Sequence, residues 1–396
     1  MKQRVNDLAI FGGAPSFCDK LHVGKPNLGD RERFLLRVQD ILDRRWFTNN
    51  GEYVQELEAR ISEFIGVRNC IAMCNGTIAL EIAARALGLN GEVILPSFSF
   101  VATAHAMQWH QITPVFADIV EDGYTIDPRS VEKMITPMTT GIIGVHTWGT
   151  PCSVGELKDI ADTYGLKLIF DAAHAFGCEH KGSMVGTFGD VEVYSFHATK
   201  FLNTFEGGAI VTNNDELAEK IRLMKNFGFS GRDNVIHVGT NGKMSEVSAA
   251  MGITSLESMA DIVEKNHLNY KTYESLLGDI EGLGFITYDE TEKRNYQYIV
   301  ITVDAEKTGV SRDRLIEILQ RENILARRYF YPGCHRMEPY RSYFPHSGML
   351  LPNTERLSGR VISLPTGNAV SVDDIHTICQ ILRFTVEEAA AGRIHF

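Results

Sequence analysis

Seven short apolar runs, most of them separated by helical patterns, limit this chain's fold more than any other feature. They read CIAMC (70–74), EVILP (92–96), TPVFADI (113–119), GIIGVHTW (141–148), LKLIFDAA (166–173), VEVYSF (191–196) and GAIVTN (208–213). Nearly continuous apolar runs of this length suit strands buried on both faces. Strands that alternate with helical patterns such as TIALEIAARALGL and VGELKDIADTYG pack as a mostly parallel sheet with helices on both faces, an α/β architecture. Upstream, Asp30 is placed to cap a helix bearing Phe34, Leu35, Val38, Ile41 and Leu42 at helical spacing. A second helix carries Val54, Leu57, Ile61 and Phe64 on one stripe. Beyond about residue 259 the rhythm changes. A long helix (259–277), YQYIVITVD, RDRLIEILQREN, ILARRYFY and a last helix from Val372 predict a smaller C-terminal α+β domain. The expected division is 1–258 for an N-terminal segment with the larger domain and 259–396 for the smaller. A chain of 396 residues, 44 % of them apolar, can fill both cores.

The formal charge of −11, with no basic tail, argues against a nucleic-acid partner. An anionic ligand must then be held by local backbone amides and a few placed cations. Seven scattered cysteines without a C-x-x-C spacing suggest neither a zinc site nor a disulfide framework. The thirteen histidines show no ligand spacing beside carboxylates, so no metal is expected. The opening residues lack a signal-peptide pattern, and no apolar run is long enough to span a bilayer. The expectation is a reduced, soluble, cytoplasmic protein with no membrane partner.

Open α/β sheets bind ligands outside the carboxyl ends of their strands, so the residues just past each run carry the functional reading. After CIAMC come Asn75, Gly76 and Thr77, which open a helix whose free N–H groups suit an anion. After EVILP comes SFSFVAT with the aromatic Phe100. After LKLIF come Asp171 and His174, and after VEVY come Ser195, His197 and Lys200. Singly these have ordinary readings: a surface lysine, a helix cap at Asp171, a core phenylalanine, a common helix start, structural histidines. Together they meet the demands of pyridoxal 5′-phosphate, which needs a lysine for its aldehyde and a carboxylate for its pyridine nitrogen. It also needs amide and hydroxyl donors for its phosphate, here Gly76, Thr77 and Ser195, and an aromatic cover such as Phe100. No G-x-G-x-x-G, P-loop, G-x-S-x-G or H-E-x-x-H motif competes.

The stretches CNGTIALEIAARALGL, PSFSFVATAHA, TPVFADI, GVHTWGTPC, FDAAHAFG, SFHATKFLNTFEGGAIVTN and TNGKMSEVSAAMG also resemble the DegT/DnrJ/EryC1 group of sugar aminotransferases, over about residues 8–385. The resemblance implies the aspartate-aminotransferase-like fold type I. It implies that Lys200 bonds the cofactor, Asp171 pairs with the ring nitrogen and His174 lies near the 3-oxygen. Gly76, Thr77 and Ser195 would hold the phosphate, and Phe100 would stack on the ring. Asn241 matches a residue that the family supplies from the neighbouring subunit, which implies a homodimer with shared active sites. Lys243 stands where many relatives have arginine. Lysine at position 200 favours transamination over the sugar dehydration of relatives with histidine there, and a complete site argues against a silent regulatory relative. NFGF, YFYPGCHRMEPYR and ERLSGRVISLPTG are most similar to enzymes that aminate dTDP-4-keto-6-deoxyglucose at C4, the desosamine-pathway type. The implied reaction moves an amino group from L-glutamate to a nucleotide-linked ketosugar; C3 amination and a GDP-linked 4-keto sugar are the alternatives. Arg232, Lys243, Arg327 and Arg328 are candidate cations for the sugar diphosphate.

Overall fold

The seven apolar runs meet in one sheet in the computed structural model, which describes residues 2–394. They are β2 (Asn69–Met73), β3 (Glu92–Pro96), β4 (Thr113–Ala117), β5 (Thr139–Val145), β6 (Lys167–Asp171), β9 (Val191–Ser195) and β10 (Gly208–Thr212). Two-residue pieces complete the chain-order numbering: β1 (Leu21–His22) and the hairpin β7 (Glu179–His180) and β8 (Ser183–Met184). The sheet order is β2-β10-β9-β6-β5-β3-β4. All neighbours are parallel except those of β10, which runs against both β2 and β9. The apolar runs overshoot the strands at their carboxyl ends. GIIGVHTW leaves the sheet after Val145, because Thr147–Gly149 turns with Trp148 at φ 55. LKLIFDAA stops at Asp171 and VEVYSF at Ser195. Those overshoots become the site.

The helices form for local reasons. The Asp30 side chain accepts the Arg33 N–H and starts Arg31–Arg44; Asn75 accepts the Ile78 N–H and starts Gly76–Ala86. Helix Glu52–Ile65 buries Val54, Leu57 and Ile61 on one stripe, whereas Arg31–Arg44 buries Ile41 alone of its residues. Its Leu35, Leu36 and Leu42 remain 46 %, 66 % and 59 % exposed.

A second core lies under β11 (Leu283–Phe285), β12 (Ile299–Val303) and β14 (Val361–Leu364), an antiparallel sheet flanked by helices Met259–Leu277, Arg312–Arg321 and Val372–Ala390. ILARRYFY yields only the short β13 (Ile324–Leu325); the rest crosses toward the main sheet as a connection, held by the paired backbones of Arg327 and Ser363. The opening residues, grouped by sequence with the larger unit, pack instead on this smaller one. Leu8 is fully buried there with Ile10, Phe11, Phe17 and Leu21 beside it. Their backbone is tied down as well: Ala9 and Ser16 donate N–H groups to Glu322, and β1 pairs in parallel with β13. Among the described residues no helix is long and apolar enough to cross a membrane, and no three metal-ligating side chains cluster.

Candidate active site

Asp171 ends β6 with its carboxylate buried. The Thr103 hydroxyl donates to Oδ2 at 2.8 Å and the Ala173 N–H to Oδ1 at 3.1 Å. Burial pushes its pKa up, while these donors and the nearby Lys200 and His146 pull it back. Lys200 follows β9 on a turn closed by its own N–H to the His197 carbonyl, 2.8 Å. Its Nζ donates to the Tyr298 hydroxyl at 3.2 Å. Removal from water pushes this amine down to about 8, against the attraction of Asp171. A lysine so placed is about one fifth neutral near pH 7.4, whereas a surface lysine is almost wholly charged.

His174 lies a turn beyond Asp171. Its Nδ1 accepts the Trp148 N–H at 3.2 Å, so the neutral ring carries its proton on Nε2. Burial, reinforced by Lys200, holds its pKa well below the ordinary histidine value. The ring lies parallel to Phe330 (5.7 Å between centroids, 3°) and 4.7 Å from Tyr298.

Opposite, Gly76 and Thr77 open their helix with N–H groups that have no intrahelical acceptor. Ser195, at the end of β9, stands beside them. The approach is tight: a Cβ on Gly76 would meet Ser195 Cβ at 3.0 Å, and one on Gly208 would strike the backbone of Tyr194, Asn75 and Gly76 within 2.8 Å. Phe100, 53 % exposed, flanks the opening. One cavity of about 580 Å³ gathers Gly76, Thr77, Phe100, Asp171, His174, Ser195 and Lys200.

Asn241 is not in that cavity. It is exposed, paired with Asn226, and its carbonyl takes the Cys74 thiol at 3.9 Å, one residue before the helix cap Asn75. Of the four candidate cations, Arg327 alone lines the cavity, its guanidinium 4.6 Å from the Tyr329 ring centre. Arg232 is exposed, Lys243 sits 4.7 Å over Phe227, and Arg328 pairs with Asp313 at 3.1 Å. Sequence reasoning missed Tyr298, Tyr329 and Phe330 as cavity walls; the aromatic runs YQY and RRYFY were their only signal.

The set can bind a phosphate at a helix start, hold a cationic ring nitrogen at a buried carboxylate, and present an amine that burial has made easier to deprotonate. Comparison with known proteins agrees. The DegT/DnrJ/EryC1/StrS aminotransferase family model matches residues 29–383. The chain is 42 % identical over 364 residues to a dTDP-4-amino-4,6-dideoxy-D-glucose transaminase of Shigella dysenteriae, spanning 92 % of this chain and 98 % of that protein. An Escherichia coli protein of the same name is 39 % identical over 363 residues, 91 % and 97 % of the two chains. Among solved structures it resembles DesI, crystallised in the presence of its TDP-sugar product, with a TM-score of 0.93, 46 % identity and 98 % of each chain covered. The fold is that of the fold-type-I aminotransferases. With motif, architecture and near full-length likeness in accord, this chain belongs to the DegT/DnrJ/EryC1/StrS aminotransferase family and is an enzyme.

Proposed function

We propose that the protein moves an amino group from L-glutamate to C4 of dTDP-4-keto-6-deoxy-D-glucose, giving dTDP-4-amino-4,6-dideoxy-D-glucose, with pyridoxal 5′-phosphate as cofactor. The observation that carries this reading is the single cavity in which the Lys200 amine, the Asp171 carboxylate and the Gly76–Thr77 helix start converge. The donor set fits the cofactor: bare backbone at Gly76 leaves room beside Ser195 for a phosphate, and the buried carboxylate awaits a cation. When bound, pyridoxal phosphate supplies the aldehyde that takes up the amino group and a protonated ring that spreads charge left on the donor carbon.

Each residue then has a task. Gly76, Thr77 and Ser195 hold the phosphate. Asp171 keeps a proton on the ring nitrogen; its raised pKa falls again once that cation is opposite. Lys200 Nζ, its pKa lowered by burial and its position steered by Tyr298, takes the proton from the glutamate α-carbon and delivers one to the sugar carbon. His174 offers its Nε2 proton toward the 3-oxygen, and Phe100 covers the ring. Arg327 faces the sugar's diphosphate, and Asn241 reaches the phosphate of a partner subunit's site in a homodimer. The names of the relatives from Shigella dysenteriae and Escherichia coli support the choice of sugar.

The enzyme, loaded with pyridoxamine 5′-phosphate, is offered dTDP-, UDP- and GDP-linked ketosugars, and return of the aldehyde-form absorbance is recorded. The nitrogen is then located by NMR after turnover with glutamate and the 4-keto or 3-keto dTDP-6-deoxysugar. Amination at C4 is expected, with a strong preference for that isomer, because misplacing the reacting carbon by about 1 Å costs roughly a hundredfold in rate. Amination of the 3-keto sugar alone would overturn the substrate and leave the enzyme class standing.

A further inference from the structure

Behind the cavity, three side chains stand in the order hydroxyl, imidazole, carboxylate. Ser97 Oγ lies 2.6 Å from His335 Nδ1, and His335 Nε2 lies 2.6 Å from Glu355 Oε1. Hydrolases use this order to activate a serine. Here Ser97 is fully buried and forms no part of the cavity wall, so its oxygen meets no substrate. The protons can be assigned without remainder. Nε2–H donates to Glu355, Ser97 O–H donates to Nδ1, and Ser97 Oγ accepts the His335 backbone N–H at 3.1 Å. Glu355 also takes the Arg336 Nε–H at 2.6 Å, and the Ser97 carbonyl takes the Cys334 N–H at 2.9 Å. Gly333, at φ +87, leaves the space: a Cβ there would press on His335 Nδ1 at 3.1 Å and Ser97 Oγ at 3.3 Å.

These bonds join two distant segments, the connection carrying Arg327 and Phe330 and the loop after β3. The loop continues to the site. Cys334 Sγ donates to the Ser99 carbonyl at 3.4 Å, Ser99 Oγ lies 3.0 Å from Thr103 Oγ1, and Thr103 donates to Asp171 at 2.8 Å. We propose that Ser97, His335 and Glu355 are positioning residues, a buried relay that fixes the loop after β3 and so holds Thr103 on the Asp171 carboxylate. The inference rests on the reading of Asp171 as the group that holds the cofactor's ring nitrogen.

The test compares His335→Leu, which keeps bulk, with His335→Asn, whose amide can still meet Ser97. Leu is expected to lower kcat by about tenfold to a hundredfold, the scale of a misplaced catalytic group, with KM for the sugar changed less than about twofold. Asn should recover most of that loss. Combining His335→Leu with Thr103→Val should lower kcat by less than the product of the single effects, because both act through Asp171. In the cofactor-free protein, amide hydrogen exchange across 97–103 should rise in the Leu variant and not in Asn. Ser97→Ala, which removes one oxygen, repeats these readouts should the Leu variant not fold. Equal kcat for Leu and Asn, fully multiplicative effects, or unchanged exchange at 97–103 would each overturn the relay. The exchange measurement needs no turnover, so a wrong substrate assignment leaves it decisive.

Discussion

Lys200 is a weaker base than a lysine in water, and for the same reason, burial, a larger share of it is neutral. In the cofactor-free protein, only the unprotonated amine attacks an aldehyde. Covalent capture of pyridoxal phosphate, followed by borohydride trapping, should therefore fall about tenfold for each pH unit below 8 and level off above it. A midpoint at the ordinary 10.5 would show that burial does not act on this amine. Asp171→Asn keeps the shape and loses the charge. It should retain cofactor yet lose about 3 kcal/mol of barrier lowering, a drop of about a hundredfold in kcat measured at saturating substrates. Near-normal kcat would remove Asp171 from the mechanism. Both residues were legible in the sequence because one ends a buried strand and the other follows one closely, where a charge has few structural uses. Tyr298 was not, since its hydroxyl reaches Lys200 across 98 residues, from the position just before β12. Nothing in a local pattern encodes such a contact.

Strand boundaries, at the scale of elements, explain both the successes and the errors of reading. Apolar runs identified all seven strands of the sheet, because strands buried on both faces have no polar side to dilute the pattern. They overran the carboxyl ends because Ala172, Phe196 and Trp148 stay buried after leaving the ladder, so hydrophobicity continues where pairing has stopped. The antiparallel β10 was invisible as such, since direction leaves no trace in composition. Its position matters: Gly208 backs directly onto the start of helix Gly76–Ala86. Gly208→Ala would force backbone against backbone, which no rotamer change relieves. It should lower thermal stability by about 1–3 kcal/mol, the range for overpacking, and weaken pyridoxal phosphate binding more than Asp171→Asn does. Calorimetry and a fluorescence titration measure the two, and an unaffected cofactor affinity would refute the link.

A reading of the whole molecule as a homodimer has two motives. Asn241 is exposed and outside its own cavity, and helix Arg31–Arg44 leaves Leu35, Leu36 and Leu42 uncovered. Mixing inactive Lys200→Ala with inactive Asn241→Ala subunits should restore some activity, through heterodimers that carry one intact site. No rescue, with subunit exchange shown independently, would count against shared sites. The composition and rhythm that separated two cores could not reveal that the smaller one is closed by the chain's own opening residues, because that pairing depends on partners such as Ala9 and Glu322, 313 residues apart. Translation gives this distance a duration. At about 5–20 residues per second, Leu8 and its neighbours leave the ribosome roughly 15–60 s before the glutamate that anchors them. During that interval Leu8 and Ile10 lack the partners that cover them, and all seven strands of the larger sheet, residues 69–212, emerge before Glu322 does. Glu322 and the cavity walls Arg327 and Phe330 lie within eight residues of one another, so the glutamate that ties down the opening residues and the side chains that line the cavity with Lys200 reach solution almost together.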